Sequence, residues 1–353
     1  MRTFGCALLA AAVLSALGAP LLAPHRTDTQ YAGLLNAPPT VPHVIDEAGA
    51  WHAPFIYRWT LANRLEMRFE QDRSKRVPLE WFSGGCLVRS SDEAHAPLLL
   101  AGTDRVGRDL FSRLLFGGRI SLGLALAAAL GATLLGGLVG GTAGYVGGNI
   151  DDAMMRASDI VLVLPAIYVV LALRAVLPEV LDPRTIFLML AAIFAVVGAP
   201  YVARGVRAIV RSERQQEYAA AARSLGASHA RLLVRHLLPA ASGNIVVQLT
   251  VLVPAFIVAE ATLSYVGLGF PDPVASWGTM LHDASSNIRV FADFPWLLSP
   301  AAAYSRRRSE RTMARTPRAM NGAPTIAKIA TSSANTSAAE RTSGRTDRSA
   351  RTT

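Results

Sequence analysis

Long uncharged apolar runs, separated by short polar segments, dominate the pattern of this chain. Crossing about 30 Å of hydrocarbon takes ~20 helical residues, each rising about 1.5 Å. Residues 3–24, 120–150, 160–177, 185–203 and 237–259 meet that length, the third narrowly, with Arg174 near one end. A sixth run opens at Phe294 but meets Arg306 after about twelve residues. The pattern predicts an all-α membrane protein with five spanning helices and a truncated sixth. Residues 1–24 form the first span, 25–117 a long extramembrane segment, 118–303 the membrane core with a loop at 204–239, and 304–353 a tail. The first run has a second reading. Arg2, the apolar stretch and the small residues Ala16, Gly18 and Ala19 also fit a cleaved signal peptide. The length of the run and the alternation of the later loops favour a retained span.

Arginine placement orients the spans. Seven arginines lie between Arg204 and Arg235, whereas 269–290 holds only Arg289 beside two aspartates. The positive-inside rule puts 204–236 in the cytoplasm and 269–292 in the periplasm. Counting back places 151–156 inside, 178–184 and 25–117 outside, and the N-terminus inside. Long segments translocate largely regardless of charge, so the arginines of 25–117 do not object. That segment opens on Pro38, Pro39 and Pro42, and an amphipathic helix is expected around Arg58 to Arg73.

Composition agrees with lipid: 51% of residues are hydrophobic, only 17% are charged, and mean hydropathy is +0.32. Soluble domains carry about 25% charged residues. The formal charge of +10 is misleading, because 304–353 holds eleven basic and three acidic residues. A nucleic-acid partner inferred from charge would rest almost wholly on that tail. Cys6 and Cys86 are too few for a disulfide framework, and His43, His52 and His95 are scattered. No cofactor, metal site or catalytic constellation is expected.

Three segments carry candidate mechanism. In 120–150, Gly136, Gly140, Gly144 and Gly148 recur every four residues, which puts them on one face of a helix. Such a face lets a second helix approach closely in lipid, a reading favoured over the mere commonness of glycine in membrane helices. The stretch 102–122 reads GTDRVGRDLFSRLLFGGRISL. On a helix Val106, Leu110, Phe111, Leu114 and Leu115 share a face, and Arg105, Asp109 and Arg113 lie opposite at i, i+4 spacing, as in an interfacial helix. The stretch 217–239 reads EYAAAARSLGASHARLLVRHLLP. Ala219 to Ala222 favour a thin helix, Gly226 stops it, Ser228 caps a second, and Pro239 marks re-entry into the membrane. Its arginines suit anionic lipid headgroups. From the residues alone, protein docking and an inert loop are equally supported.

The 217–239 segment resembles the EAA loop of binding-protein-dependent ABC importer permeases of the dipeptide/oligopeptide branch. GYVGGNIDDAMMRASDIVLVLP at 144–165, AEATLSYVGLGFPDPVASWGTML at 259–281 and the 102–122 stretch are similar to that branch's other signatures, in the same order. The signature positions are Gly102, Thr103, Asp104, Gly107, Arg108, Asp109, Arg113, Ser276, Trp277 and Gly278. The resemblance implies half of a pore for peptides or similar small solutes in a bacterial inner membrane. It implies a second permease subunit, two cytoplasmic ATP-binding subunits and a periplasmic solute-binding protein. Glu217, Ala221, Ala222, Gly226, His236 and Pro239 would form the ATPase-coupling loop. Ala220 departs from the branch, where an acid is common. Neither Lys75 nor Lys328 follows a glycine, so the P-loop pattern is missing and ATP would be hydrolysed by partners. An ATPase-independent transporter or channel is the alternative, although it would need ionisable groups at mid-membrane; a membrane-anchored enzyme has no supporting motif. The Thr/Ser/Ala/Arg composition of 304–353 cannot span a bilayer. A frameshift near Ala303 is expected in preference to a genuine basic tail.

Overall fold

The computed structural model describes residues 10, 13–46, 49–63, 67–165, 168–172 and 182–285. The start of the first apolar run, Arg174, residues 286–303 with the short sixth run, and the tail at 304–353 lie outside the described residues. The described part is mostly helical. Three helices are long and apolar enough to cross a membrane: α1 (Leu110–Val146), α3 (Pro183–Glu213) and α6 (Ser242–Tyr265). α2 (Gly148–Val163) follows α1 after a break at Gly147, whose φ is 72°. Short helices α4 (Glu217–Ser224) and α5 (His229–Leu232) join α3 to α6, and α7 (Trp277–Ser285) follows α6.

The predicted boundaries shift. Asp109 caps α1 by accepting from the amides of Phe111 and Ser112, so the helix starts ten residues before the uncharged run. Residues 102–109 form turns rather than an interfacial helix, and Asp109 makes no i, i+4 ion pair. Its carboxylate satisfies orphan amides instead, the usual role of an acid just ahead of an apolar run.

The expectation of an all-α chain, with an amphipathic helix at Arg58–Arg73, is corrected. Antiparallel strands β1 (His43–Ile45), β2 (Trp51–Asn63), β3 (Arg68–Trp81) and β4 (Val88–Ser90) form a sheet in that order. Residues 58–63 end β2 and 68–73 open β3, so the apparent helical period joined two strands across a hairpin. Ile56 and Val77 pack with Ala96 and Leu98 beneath the sheet.

α1 and α3 run parallel and pack tightly. A Cβ at Gly136 or Gly140 would fall on the carbonyl oxygen of Ala199 or Ala203, and one at Gly144 would lie 2.7 Å from that of Arg207. Both series advance by four residues, so successive turns of the two backbones touch, as small residues allow in lipid. Gly148 is not part of this face: it opens α2 at φ 62° and meets open space. α6 runs antiparallel to the pair. Gly205 faces Asn244, Gly198 faces Phe256, and Ser121 bonds Glu260. Phe194 and Phe256 stack at 5.4 Å in the core.

Candidate functional site

The 217–239 segment folds as an elbow at one end of the bundle. α4 ends in a Schellman motif: Ala227 N–H donates to Ala222 O and Gly226 N–H to Arg223 O, both at 3.0 Å. Gly226 sits at φ 81°, a left-handed conformation that costs other residues about 1 kcal/mol or more. Ser228 Oγ accepts from Arg231 N and starts α5. A π-helical turn, Leu233–Leu237, then carries the chain to Pro239 in the single turn Leu238–Ala240. Ala219, Leu232 and Leu237 are buried in the bundle core, with Ala222 packed against it. Glu217, Ala221, Gly226 and Pro239 are exposed, and His236 is half-buried. Leu225, at the bend, is 88% exposed.

The bundle grips the elbow from behind. Tyr145 Oη bonds His229 Nδ1. Arg214 Nη1 donates to the carbonyls of Tyr145 and Val146, the last residues of α1. Arg223 donates to Ala219 O and Arg214 O, both at 3.1 Å. Just behind, Arg207 holds Asp151 with two hydrogen bonds, one of 2.6 Å, and Arg204 pairs with Asp159. Tyr145, Asp151 and Arg214 were not singled out from sequence. Their contacts span 56 to 84 positions, a separation no local pattern reports.

At the opposite end the 102–122 signature becomes a buried charged clasp. Asp104 Oδ1 accepts from Val106 N and Arg108 N, and its Oδ2 accepts from Arg108 Nε at 2.7 Å. Arg108 also reaches Asp272 at 3.0 Å and Asp283 at 3.5 Å. Arg113, whose side chain is 1% exposed, lies 3.8 Å from Asp104 and from Asp283. Burial pushes the Asp283 carboxyl above the ordinary range, and the neighbouring Asp272 charge adds to this, while Arg105, Arg113 and Arg108 pull the other way. Thr103 Oγ1 donates to Leu34 O and accepts from Ala37 N. Gly107 adopts φ 81° where a Cβ would strike Tyr31 O, and Gly102 lies at φ 80°. The clasp thus ties the entry to α1 to the exit from α6.

Ser276, Trp277 and Gly278 complete that junction. Trp277 N donates to Ser121 Oγ at 3.1 Å, and its indole N–H donates to Leu114 O. A Cβ at Gly117 or Gly118 would press on Ser276 or Trp277, and one at Gly278 would lie 2.5 Å from the Ser264 Cβ. Glu260, fully buried, accepts from Ser121 Oγ and Ser264 Oγ at 2.8 and 2.7 Å. Among the described residues no group of His, Cys, Asp or Glu side chains is placed to hold a metal.

The clasp makes a stability prediction. Arg108→Ala strips buried Asp104 of its 2.7 Å charged partner, which costs about 3–5 kcal/mol. Arg105→Ala removes a pair whose arginine is 51% exposed, and should cost under ~1 kcal/mol. Thermal unfolding of detergent-purified protein should rank the two in that order; equal effects would show that the buried pairing is unimportant.

Three helices long and apolar enough to cross a membrane, two of them packed in parallel through glycines, carry a capped elbow at one end. Residues 132–305 match the model of the binding-protein-dependent transport system inner membrane component. The chain is 42% identical over 197 residues to the oligopeptide transport system permease protein OppC of Bacillus subtilis, covering 56% of this chain and 62% of that protein. It is 42% identical over 187 residues to the dipeptide transport system permease protein DppC of the same organism, covering 53% and 57%. OppC of Escherichia coli K12 matches at 41% over 197 residues, covering 56% and 62%. The chain therefore spans about three fifths of the curated relatives it matches.

Proposed function

We propose that this chain is the permease subunit of an ATP-binding-cassette importer, forming half of a translocation pore for peptides or similar small solutes. A second permease subunit completes the pore, two cytoplasmic ATP-binding subunits drive it, and a periplasmic solute-binding protein delivers the cargo. The observation that carries the reading is the elbow at 217–239. It presents Glu217, Ala221, Gly226 and Leu225 outward, while Ala219, Leu232 and Leu237 anchor it in the core. A push on such an elbow passes directly to the ends of α1 and α3 through Tyr145, His229 and Arg214. The seven arginines of 204–235 support a cytoplasmic elbow, and hence a periplasmic sheet and clasp and a cytoplasmic N-terminus. ATP hydrolysis falls to the partner subunits. The oligopeptide and dipeptide permeases among its relatives support peptide cargo.

The test is uptake of labelled peptide by proteoliposomes holding this chain with its permease, ATPase and binding-protein partners. Uptake should require ATP and each ATPase. Peptide accumulation driven by an ion gradient without the ATPases would reverse the reading in favour of a secondary transporter.

A further inference from the structure

At the end of the bundle away from the elbow, Glu260 is a buried acid used by neither the clasp nor the glycine-packed pair. The uncharged run of α1 opens at Ile120 and that of α6 closes at Ala259, so Ser121 and Glu260 meet where both runs end. Among the described residues, the partners of the Glu260 carboxylate are two serines and no cation. A carboxylate buried on those terms is costly, and one at the edge of a membrane span points to a role beyond packing.

The two serines show what that role is. Ser121 Oγ donates to Glu260 Oε2 at 2.8 Å and accepts from Trp277 N at 3.1 Å. Trp277 opens α7, and its amide is one of those that a helix leaves without a partner in its first turn. Ser264 Oγ donates to Glu260 Oε1 at 2.7 Å, and Gly278, the second residue of α7, packs on Ser264. Both oxygens of Glu260 thus lead to the first turn of α7. Polarity is what the acid supplies. A carboxylate only accepts, so the Ser121 hydrogen points at Glu260 and the Ser121 lone pairs are left for the Trp277 amide. A glutamine could donate to Ser121 instead and turn the hydroxyl hydrogen toward the Trp277 N–H, donor against donor.

Chain order connects this relay to the elbow. Pro239 lies in the turn Leu238–Ala240, α6 follows from Ser242, and Glu260 stands about 30 Å of helix further on, close to the thickness of hydrocarbon. α6 is also the least buried of the three long helices, whereas α1 and α3 are locked backbone to backbone. We infer that Glu260 is a positioning residue for transport: through Ser121 and Ser264 it seats α7 on α1, so that a displacement of α6 at the elbow reaches α7 at the far end. The transport half rests on the permease reading above, and the seating of Trp277 does not.

A cycle of Glu260→Gln, Ser121→Ala and the double variant tests this in the full chain. The first readout is the fluorine resonance of Trp277 in fluorotryptophan-labelled protein in detergent, assigned with Trp277→Phe. The second is peptide uptake per ATP hydrolysed in proteoliposomes holding the assembled transporter. Each single variant should shift the Trp277 resonance and lower uptake per ATP at least about fivefold, with the ATPases still co-purifying. In its Trp277 resonance the double variant should match Ser121→Ala, since Glu260 acts on that amide through the hydroxyl. Additive shifts in the double variant, an unmoved Trp277 resonance, or unchanged uptake per ATP in Glu260→Gln would each overturn the inference. Should Glu260→Gln fail to fold, Ser121→Ala decides through the same two readouts. If the unaltered chain transports without the ATPases, the permease reading fails, while the resonance cycle still decides whether Glu260 seats α7.

Discussion

Gly140→Val should collapse the folded yield of this protein, at a cost of about 3 kcal/mol, the upper end for overpacking. The added atoms would land on the backbone of Ala203, and backbone cannot rotate away as a side chain can. The parallel helices must therefore separate, which also opens the contacts at Gly136 and Gly144 one turn to either side. A milder pair isolates the steric cause. Gly140→Ala and Gly137→Ala gain the same helix propensity, about 1 kcal/mol. A Cβ at Gly137 meets nothing within 4 Å. Gly137→Ala should hold or raise the melting temperature in detergent, and Gly140→Ala should lower it. Equal responses would mean that the glycine face does not hold α1 to α3.

Gly226→Asp should abolish transport while the chain still inserts and folds. The residue sits at φ 81° with open space around its Cβ position, so the fold loses only the backbone cost of about 1 kcal/mol. The new charge would stand on the bend, beside the exposed Leu225, where an ATPase would seat. Gly226→Ala pays the same backbone cost without the charge and should keep most transport. Uptake, inserted yield and ATPase co-purification distinguish the outcomes. Loss of transport in both variants, with normal ATPase binding, would make Gly226 a helix cap and nothing more.

What the sequence made legible was whatever is local. Apolar runs longer than the bilayer gave the three long helices, and the four-residue glycine spacing gave the packed face of α1. Gly226 and Ser228 gave the elbow, because cap chemistry is written within three residues of the helix end. The failures have physical causes too. Residues 58–73 mimic a helical period only because their two halves belong to strands joined by a turn. The aromatic and β-branched run Phe55, Ile56, Tyr57, Trp59 and Thr60 was the better signal, being suited to a pleated, half-buried surface. Asp109 stands at ion-pair spacing from two arginines, yet an acid immediately ahead of an apolar run favours an N-cap. Gly148 kept the spacing but lost the face, since the chain had already broken at Gly147. The clasp left no local trace: Arg108 meets Asp272 across 164 positions.

We propose that the elbow receives an ATPase and faces the cytoplasm. A photo-reactive residue in place of Leu225, 88% exposed at the bend, tests it in the assembled transporter. A second probe in place of Trp51, 77% exposed at the start of β2, serves as its opposite. An adduct should form between position 225 and the ATPase, with a yield that changes on adding ATP, and none between position 51 and the ATPase. An ATPase adduct at position 51, or a solute-binding-protein adduct at position 225, would contradict both the coupling role and the orientation.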